Sequence, residues 1–455
     1  MKKNWMLLGA VLCSVMTIFA YQHWFRNSIA DRGLQEVANG DAQFWLFQGA
    51  PNDRLLPCTV YYQFDSPLDE TLVRDRLHDL VASYAMFNRN IVEIDGLPYW
   101  QSVAVDKSEY LRVLDAAEDI ELVRKQAEVD VSRAAELKKG LPLFRAYLSA
   151  DQKQLVFVWH HVISDFEGMF NKHAKHLFKK KGERTLFGYQ VDKIAERGED
   201  ERLSAPGLRV LDVLKDADRQ IGFTGANYAV TKLVLPIGDK ALNSMGLAAD
   251  LPMSDIFSFI ALRTATRYEE LAKKNGDNTM ALRPLVSPIS LRSSSLDMSE
   301  GNNRAVRQFP FVFPLEKLPE MHQRIVSLEP VSSSYDTAGK LMKLARKAAF
   351  IEPTLRKISM PDYISNYFPL ADTPLLLGDA RLVAHQLRVP MVPYERTKFA
   401  WSNYNGEVQL FLHTDPLLID SQRMYSAFQQ ASKEVLAYLL EGSHLTPEAG
   451  GVPAA

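Results

Sequence analysis

The stretch VFVWHHVISDFEGMF, residues 156–170, places two adjacent histidines, His160 and His161, at the end of an apolar run and Asp165 four residues after the second. Val156, Phe157, Val158 and Trp159 read as a buried strand: β-branched and aromatic residues dominate, and the run is too short for a helix of its own. The histidines then sit where that strand leaves its sheet. In the following DFEGMFNKHAKHLFKKKG, residues 165–182, three-and-four spacing aligns Phe166, Met169, Phe170, Ala174, Leu177 and Phe178, which predicts a helix. Lys179 to Lys181 suit its C-terminal end, with Gly182 as the stop. The motif therefore spans a strand exit, a turn and a helix start.

At 455 residues the chain exceeds one comfortable hydrophobic core, so two domains or two halves are expected. A hydrophobic share of 47% against 24% charged is that of a folded globular chain and argues against disorder. The formal net charge of −2 gives no basic field for a phosphate backbone, so no nucleic-acid partner is expected. Cys13 lies in the N-terminal apolar segment and Cys58 stands alone, which leaves neither a disulfide framework nor a cysteine-rich metal site.

The N-terminus carries Lys2 and Lys3, an uncharged, mostly apolar run from Trp5 to about Tyr21, and then His23, Trp24 and Arg26. Ile18 ahead of Ala20 spoils the evident signal-peptide cleavage site. Leu12 is a poor residue before a lipoprotein Cys13. The reading is an uncleaved single-pass membrane anchor over residues 1–25, with Trp5, Tyr21 and Trp24 as interfacial aromatics. Lys2 and Lys3 pull the N-terminus to the cytoplasm while Arg26 and Arg32 weaken the asymmetry, so the side on which the rest of the chain lies stays open.

After the anchor, TVYYQFDSPLDETLVRDRLHDLVASYAMFNRNIVEIDGLPYW, residues 59–100, reads as strand, turn, helix and strand. Val73, Leu77, Leu80, Val81 and Tyr84 form one helix face, and Pro67 sits where a helix can begin. LPLFRAYLSADQKQLVFVWHH, residues 141–161, reads as two strands joined by a polar turn at Ala150 to Lys153. This alternation predicts an α/β layered fold. The charged stretch from Glu196 to Gly207 marks a boundary between an N-terminal half, 39–200, and a C-terminal half, 208–443. In the last helix Met424, Phe428, Val435 and Leu439 share a face, and 444–455 reads as a flexible tail.

A neutral imidazole at a strand exit can take a proton from a hydroxyl or amine as that group attacks an electrophile. Side chains alternate along a strand, so His160 and His161 point to opposite faces: one faces a channel and the other packs. Asp165 either caps the helix or pairs with a cation that holds the loop. Taken alone, adjacent histidines in a strand are more often packed or solvated than catalytic. A metal site is not expected, since opposed imidazoles do not converge on one ion and no third His or Cys is close in sequence.

HHVISD resembles the HHxxxD signature of the thioester-dependent acyltransferase superfamily that includes nonribosomal peptide condensation domains, wax ester synthase/diacylglycerol acyltransferases and polyketide-associated acyltransferases. Further segments carry the resemblance: residues 64–100 look like the opening helix and strand, and LPLFRAYL, 141–148, like the strand before the motif. PLVSPISLRSS, 284–294, FPFVFPLE, 309–316, ISNYFPLADTPLLLGDARL, 364–382, and SNYNGEVQLFLHTD, 402–415, look like segments of the second half. Together they span nearly all of the chain after about Asn39.

The resemblance implies two chloramphenicol-acetyltransferase-like halves around a central tunnel, with His161 as the general base facing it and His160 supporting. It makes Asp165 structural, locking the loop across the halves through an ion pair with Arg292. Asn366 and Ser365 would lie near the tunnel, where Asn366 helps to bind an oxyanion. Read without the resemblance, Arg292 only caps SPISLR and Asn366 only makes a turn. No bound cofactor is implied. An acyl thioester on coenzyme A or on an acyl carrier protein is the co-substrate, and an alcohol or amine, which a lipid can supply, is the acceptor.

The chain departs from the pattern after the aspartate, where Phe166 stands in place of the usual glycine and glycine comes only at Gly168. A phenylalanine there is expected to narrow or reshape the acceptor side of the channel, with Gly168 shaping the turn. The competing expectation is an inactive, membrane-tethered member that binds a carrier protein or assembly partner, prompted by Phe166 and the anchor.

Overall fold

The computed structural model describes residues 32–46, 57–103, 110–132, 142–180, 228–276, 282–290, 304–312, 317–327, 334–347, 362–391, 395–416 and 418–443. The expected anchor, the boundary near 196–207, Arg292 and the C-terminal tail lie outside the described residues.

The first part of the chain gives strands β1 (Leu34–Glu36), β2 (Pro57–Phe64), β3 (Arg89–Ile94), β4 (Leu97–Ser102), β5 (Leu111–Val113), β6 (Phe144–Leu148), β7 (Gln154–His160) and β8 (Lys179–Lys180). Its helices are α1 (Asn39–Leu46), α2 (Glu70–Ser83), α3 (Ile120–Ser132) and α4 (Phe166–His176). The second part gives β9 (Ala229–Gly238), β10 (Leu282–Ser290), β11 (Arg304–Val312), β12 (Tyr363–Tyr367), β13 (Leu375–Leu377), β14 (Ala380–Arg388), β15 (Thr397–Tyr404) and β16 (Glu407–Thr414). Its helices are α5 (Asp239–Ala248), α6 (Met253–Lys274), α7 (Leu318–Ser327), α8 (Ser334–Lys347) and α9 (Ser421–Ser443).

One seven-stranded sheet runs β5-β6-β7-β2-β14-β13-β8, and a six-stranded sheet runs β11-β10-β12-β15-β16-β9. β2 and β7 are apolar on both faces because each face is covered, and such strands take central positions. Val156 and Val158 pack with Ala127 and Val131 of α3, while Phe157 and Trp159 join the main core with Leu77 of α2 and Phe170 of α4. The halves are not independent. β14 pairs antiparallel with β2, Leu387 opposite Val60, so residues from late in the chain complete the first sheet. The six-stranded sheet is covered by α6 and α9, which Arg263 ties together through Glu434 at 2.6 Å. Its β15–β16 hairpin closes on Asn405 and Gly406, both with positive φ (52° and 84°), the backbone that Asn-Gly favours.

Two sequence expectations change. Helix α2 begins at an Asp69 cap, whose side chain accepts from the Thr71 and Leu72 amides, rather than at Pro67. Helix α4 stops at His176, and Lys179 and Lys180 form the edge strand β8 beside Leu375 and Leu376. Their backbone groups pair with β13 instead of extending the helix, so the basic run does not cap α4.

No single described helix is long and apolar enough to cross a membrane. The bent pair α5 and α6, at 90°, passes on length and composition, and α6 is buried along most of its length as a core helix.

Candidate active site

β7 ends at His160, and the chain turns at once. The Ile163 amide donates to the His160 carbonyl at 3.1 Å, and the Val162 amide donates to His160 Nδ1 at 3.0 Å. Trp159 Nε1 donates across the loop to the Ser164 carbonyl at 3.0 Å, and Ser164 Oγ donates to the Asp165 carbonyl at 3.1 Å. Asp165 then caps α4: its Oδ1 accepts the Gly168 amide at 2.7 Å, which satisfies an otherwise orphaned helix donor and sets negative charge at the positive helix end. The four-residue spacing from His161 to Asp165 is the length of this turn plus its cap.

The two histidines have different surroundings. His160 is fully buried, its Nδ1 accepts a backbone hydrogen bond, and its proton therefore sits on Nε2. Burial, aided by the neighbouring His161, lowers its pKa to about 3, so it is neutral near pH 7 and cannot become charged without cost. His161 is half-buried in the turn. Its Nδ1 is shut off from solvent. One face of its ring is covered by Phe44 of α1, with ring centroids 3.9 Å apart and planes 4° from parallel. Trp45, next in α1, lies against His160 at 5.1 Å.

Phe166 does not line an opening. It is fully buried, 4.8 Å from the Trp159 ring and 5.0 Å from that of Phe368, which follows β12. The position after the aspartate packs in the core between Trp159 and Phe368. Gly168 belongs to the first turn of α4 rather than to an open turn, and its carbonyl accepts from Lys172 Nζ at 3.3 Å. All of α4 from Phe166 to Ala174 is buried, including Lys172 and His173; His173 Nδ1 lies 3.0 Å from the Tyr62 hydroxyl.

Ser365 and Asn366 sit on β12, in the other sheet, reached from the loop through the Phe166–Phe368 contact. Ser365 Oγ accepts from Trp401 Nε1 at 3.2 Å, so its position is set by the neighbouring strand β15. Asn366 is nearly buried and its Oδ1 has no hydrogen-bond partner among the described residues. The structure thus brings His160, His161, Asp165, Phe166 and Gly168 together at the β7 exit and the start of α4, while Ser365 and Asn366 lie on β12 of the other sheet. Phe44 and Trp45 were not legible as site residues: their only signal is an aromatic pair in DAQFWLF, residues 41–47, which nothing in the spacing ties to residue 161. Among the described residues no three His, Cys, Asp or Glu side chains converge as metal ligands.

No family model matches the chain, and no curated protein matches it by sequence. Solved structures do match. The first condensation domain of the calcium-dependent antibiotic synthetase, in complex with a substrate analogue, aligns with a TM-score of 0.54 at 13% identity, covering 91% of this chain and 99% of that one. A mutant starter condensation domain of rhizomide synthetase, in complex with C8-CoA, aligns with a TM-score of 0.54 at 12% identity, covering 92% and 99%. The first condensation domain of the CDA synthetase aligns at 0.51 and 13%, covering 90% and 97%. Across nine-tenths of its length the chain has the α/β fold of condensation domains.

Proposed function

We propose that the protein is an acyltransferase that moves an acyl group from a coenzyme A or carrier-protein thioester to a hydroxyl or amine. The observation that carries this reading is His161, half-exposed at a strand exit with Nδ1 enclosed, in a fold whose solved examples hold C8-CoA or a substrate analogue. A shared fold alone does not assign chemistry, and the imidazole is what supports this reaction here.

In this reaction His161 Nε2 takes the acceptor's proton as the acceptor oxygen or nitrogen attacks the thioester carbonyl. The C–S bond then breaks, and the imidazolium returns the proton to the leaving thiolate. A covalent enzyme intermediate is not needed. Asn366 supports the oxyanion across a tunnel between the halves, Ser365 positions that wall, and Asp165 pairs with Arg292 to lock the loop. The apolar segment 1–25 tethers the protein to a membrane, which suits a lipidic acceptor. Coenzyme A and acyl carriers are cytoplasmic, so this donor requires the catalytic part on the cytoplasmic side, whereas a catalytic part on the other side, which Lys2 and Lys3 favour, would need another donor.

The burial of Phe166 in the core supports this reading over an inactive membrane-tethered binding module. The test is thiol release on mixing the full chain, in detergent, with acyl-CoA and acyl-carrier donors against long-chain alcohols, polyols and amines. Thiol release that depends on an acceptor supports transfer. A stable carrier complex with no release from any donor would overturn it.

A further inference from the structure

We propose that Phe44 is a positioning residue for His161, held in place by the contact of α8 with α1; this rests on the acyl-transfer reading. The proton-accepting lone pair of an imidazole lies in the ring plane. A partner stacked flat on the ring face therefore fixes the plane in which that lone pair lies without occupying it. Phe44 does this, at 3.9 Å and 4°. Its neighbours Ala42, Trp45 and Leu46 are buried, whereas Phe44 is half-exposed like His161, so the stack stands at the wet edge of the core. Adjacent residues on a helix project about 100° apart, which lets Phe44 meet His161 while Trp45 meets His160.

Helix α1 is tied down on its other sides. Trp45 Nε1 donates to Glu93 Oε1 of β3 at 2.5 Å. From the second half, Lys343 of α8 pairs with Glu36 at 2.8 Å and donates to the Val37 carbonyl at 2.9 Å. Gly339 of α8 touches the Asn39 backbone so closely that a Cβ there would lie 1.9 Å from the Asn39 carbonyl oxygen. The plane of the His161 ring is thus set by a segment 117 positions earlier in the chain, which a helix of the other half presses into place.

Three variants test this. Phe44→Leu keeps apolar volume and loses the flat face; Phe44→Tyr keeps the face; Gly339→Ala displaces α1 without touching the loop. Misplacing a reacting group by about 1 Å costs up to about a hundredfold, so Phe44→Leu and Gly339→Ala are expected to lower kcat about ten- to a hundredfold while KM stays within about twofold. Phe44→Tyr should restore kcat. Independently of activity, the ring protons of His161, assigned by their loss in His161→Ala, should resonate upfield in the wild type from the Phe44 ring current and move downfield in Phe44→Leu. Unchanged kcat in Phe44→Leu, equal loss in Phe44→Tyr, or unmoved His161 resonances would overturn the proposal. If the wild type transfers no acyl group at all, the acyl-transfer reading fails and the resonances alone decide whether the ring is clamped.

Discussion

Asp165 Oδ1 accepts the Gly168 amide at 2.7 Å and so closes the first turn of α4 where the β7 exit loop ends. Asparagine caps helices as well as aspartate does, whereas alanine does not, so Asp165→Ala should be less stable than Asp165→Asn by about 1 kcal/mol. The proposed pair with Arg292 adds a second effect. Removing one charge of a buried pair costs about 3–5 kcal/mol, and Asp165→Asn combined with Arg292→Gln should recover part of it. Urea unfolding of the two single variants and the double variant measures this, and strictly additive losses would remove the ion pair from the account.

Phe166 stands where the HHxxxD pattern that HHVISD resembles is followed by glycine, and it fills the seam between Trp159 and Phe368. Phe166→Ala is expected to destabilise the chain by about 3–5 kcal/mol, and Phe166→Gly by somewhat more, without raising turnover. Urea midpoints together with steady-state rates check both halves of the statement. A stable Phe166→Gly protein with increased turnover would contradict the assignment to the core.

Four buried imidazoles, His160, His173, His385 and His413, have pKa values lowered to about 3, desolvation being the largest cause in each. Folded, they stay neutral down to that pH; unfolded, they protonate near 6.5. Between these limits the unfolded chain binds more protons, so the stabilisation is whole above about pH 6.5 and is lost as pH falls. Each contributes a slope of about 1.4 kcal/mol per pH unit. The melting temperature should change little between pH 7.5 and about 6.5 and fall from there to pH 5, and a flat profile below pH 6.5 would contradict the burial of these rings as neutral groups.

Local patterns carried much of this. β7, the turn after it, the start of α4, and the buried face of α9 with Met424, Phe428, Val435 and Leu439 follow from periodicity. So does the α2 face of Val73, Leu77, Leu80 and Val81. What local pattern does not carry is long-range placement. That β14 enters the first sheet beside β2, that Lys179 and Lys180 become an edge strand beside β13, and that Phe44 lies on His161 are all decided by pairing between distant segments. The packing of Phe166 is of the same kind, since its partner Phe368 lies in the other half.

The most direct measurement is acyl transfer by the full-length wild type beside His161→Ala, with both shown to be folded by circular dichroism and by matching melting temperatures. Loss of the general base should reduce the rate by about two to four orders of magnitude. Equal rates in the two proteins would show that His161 is not the base.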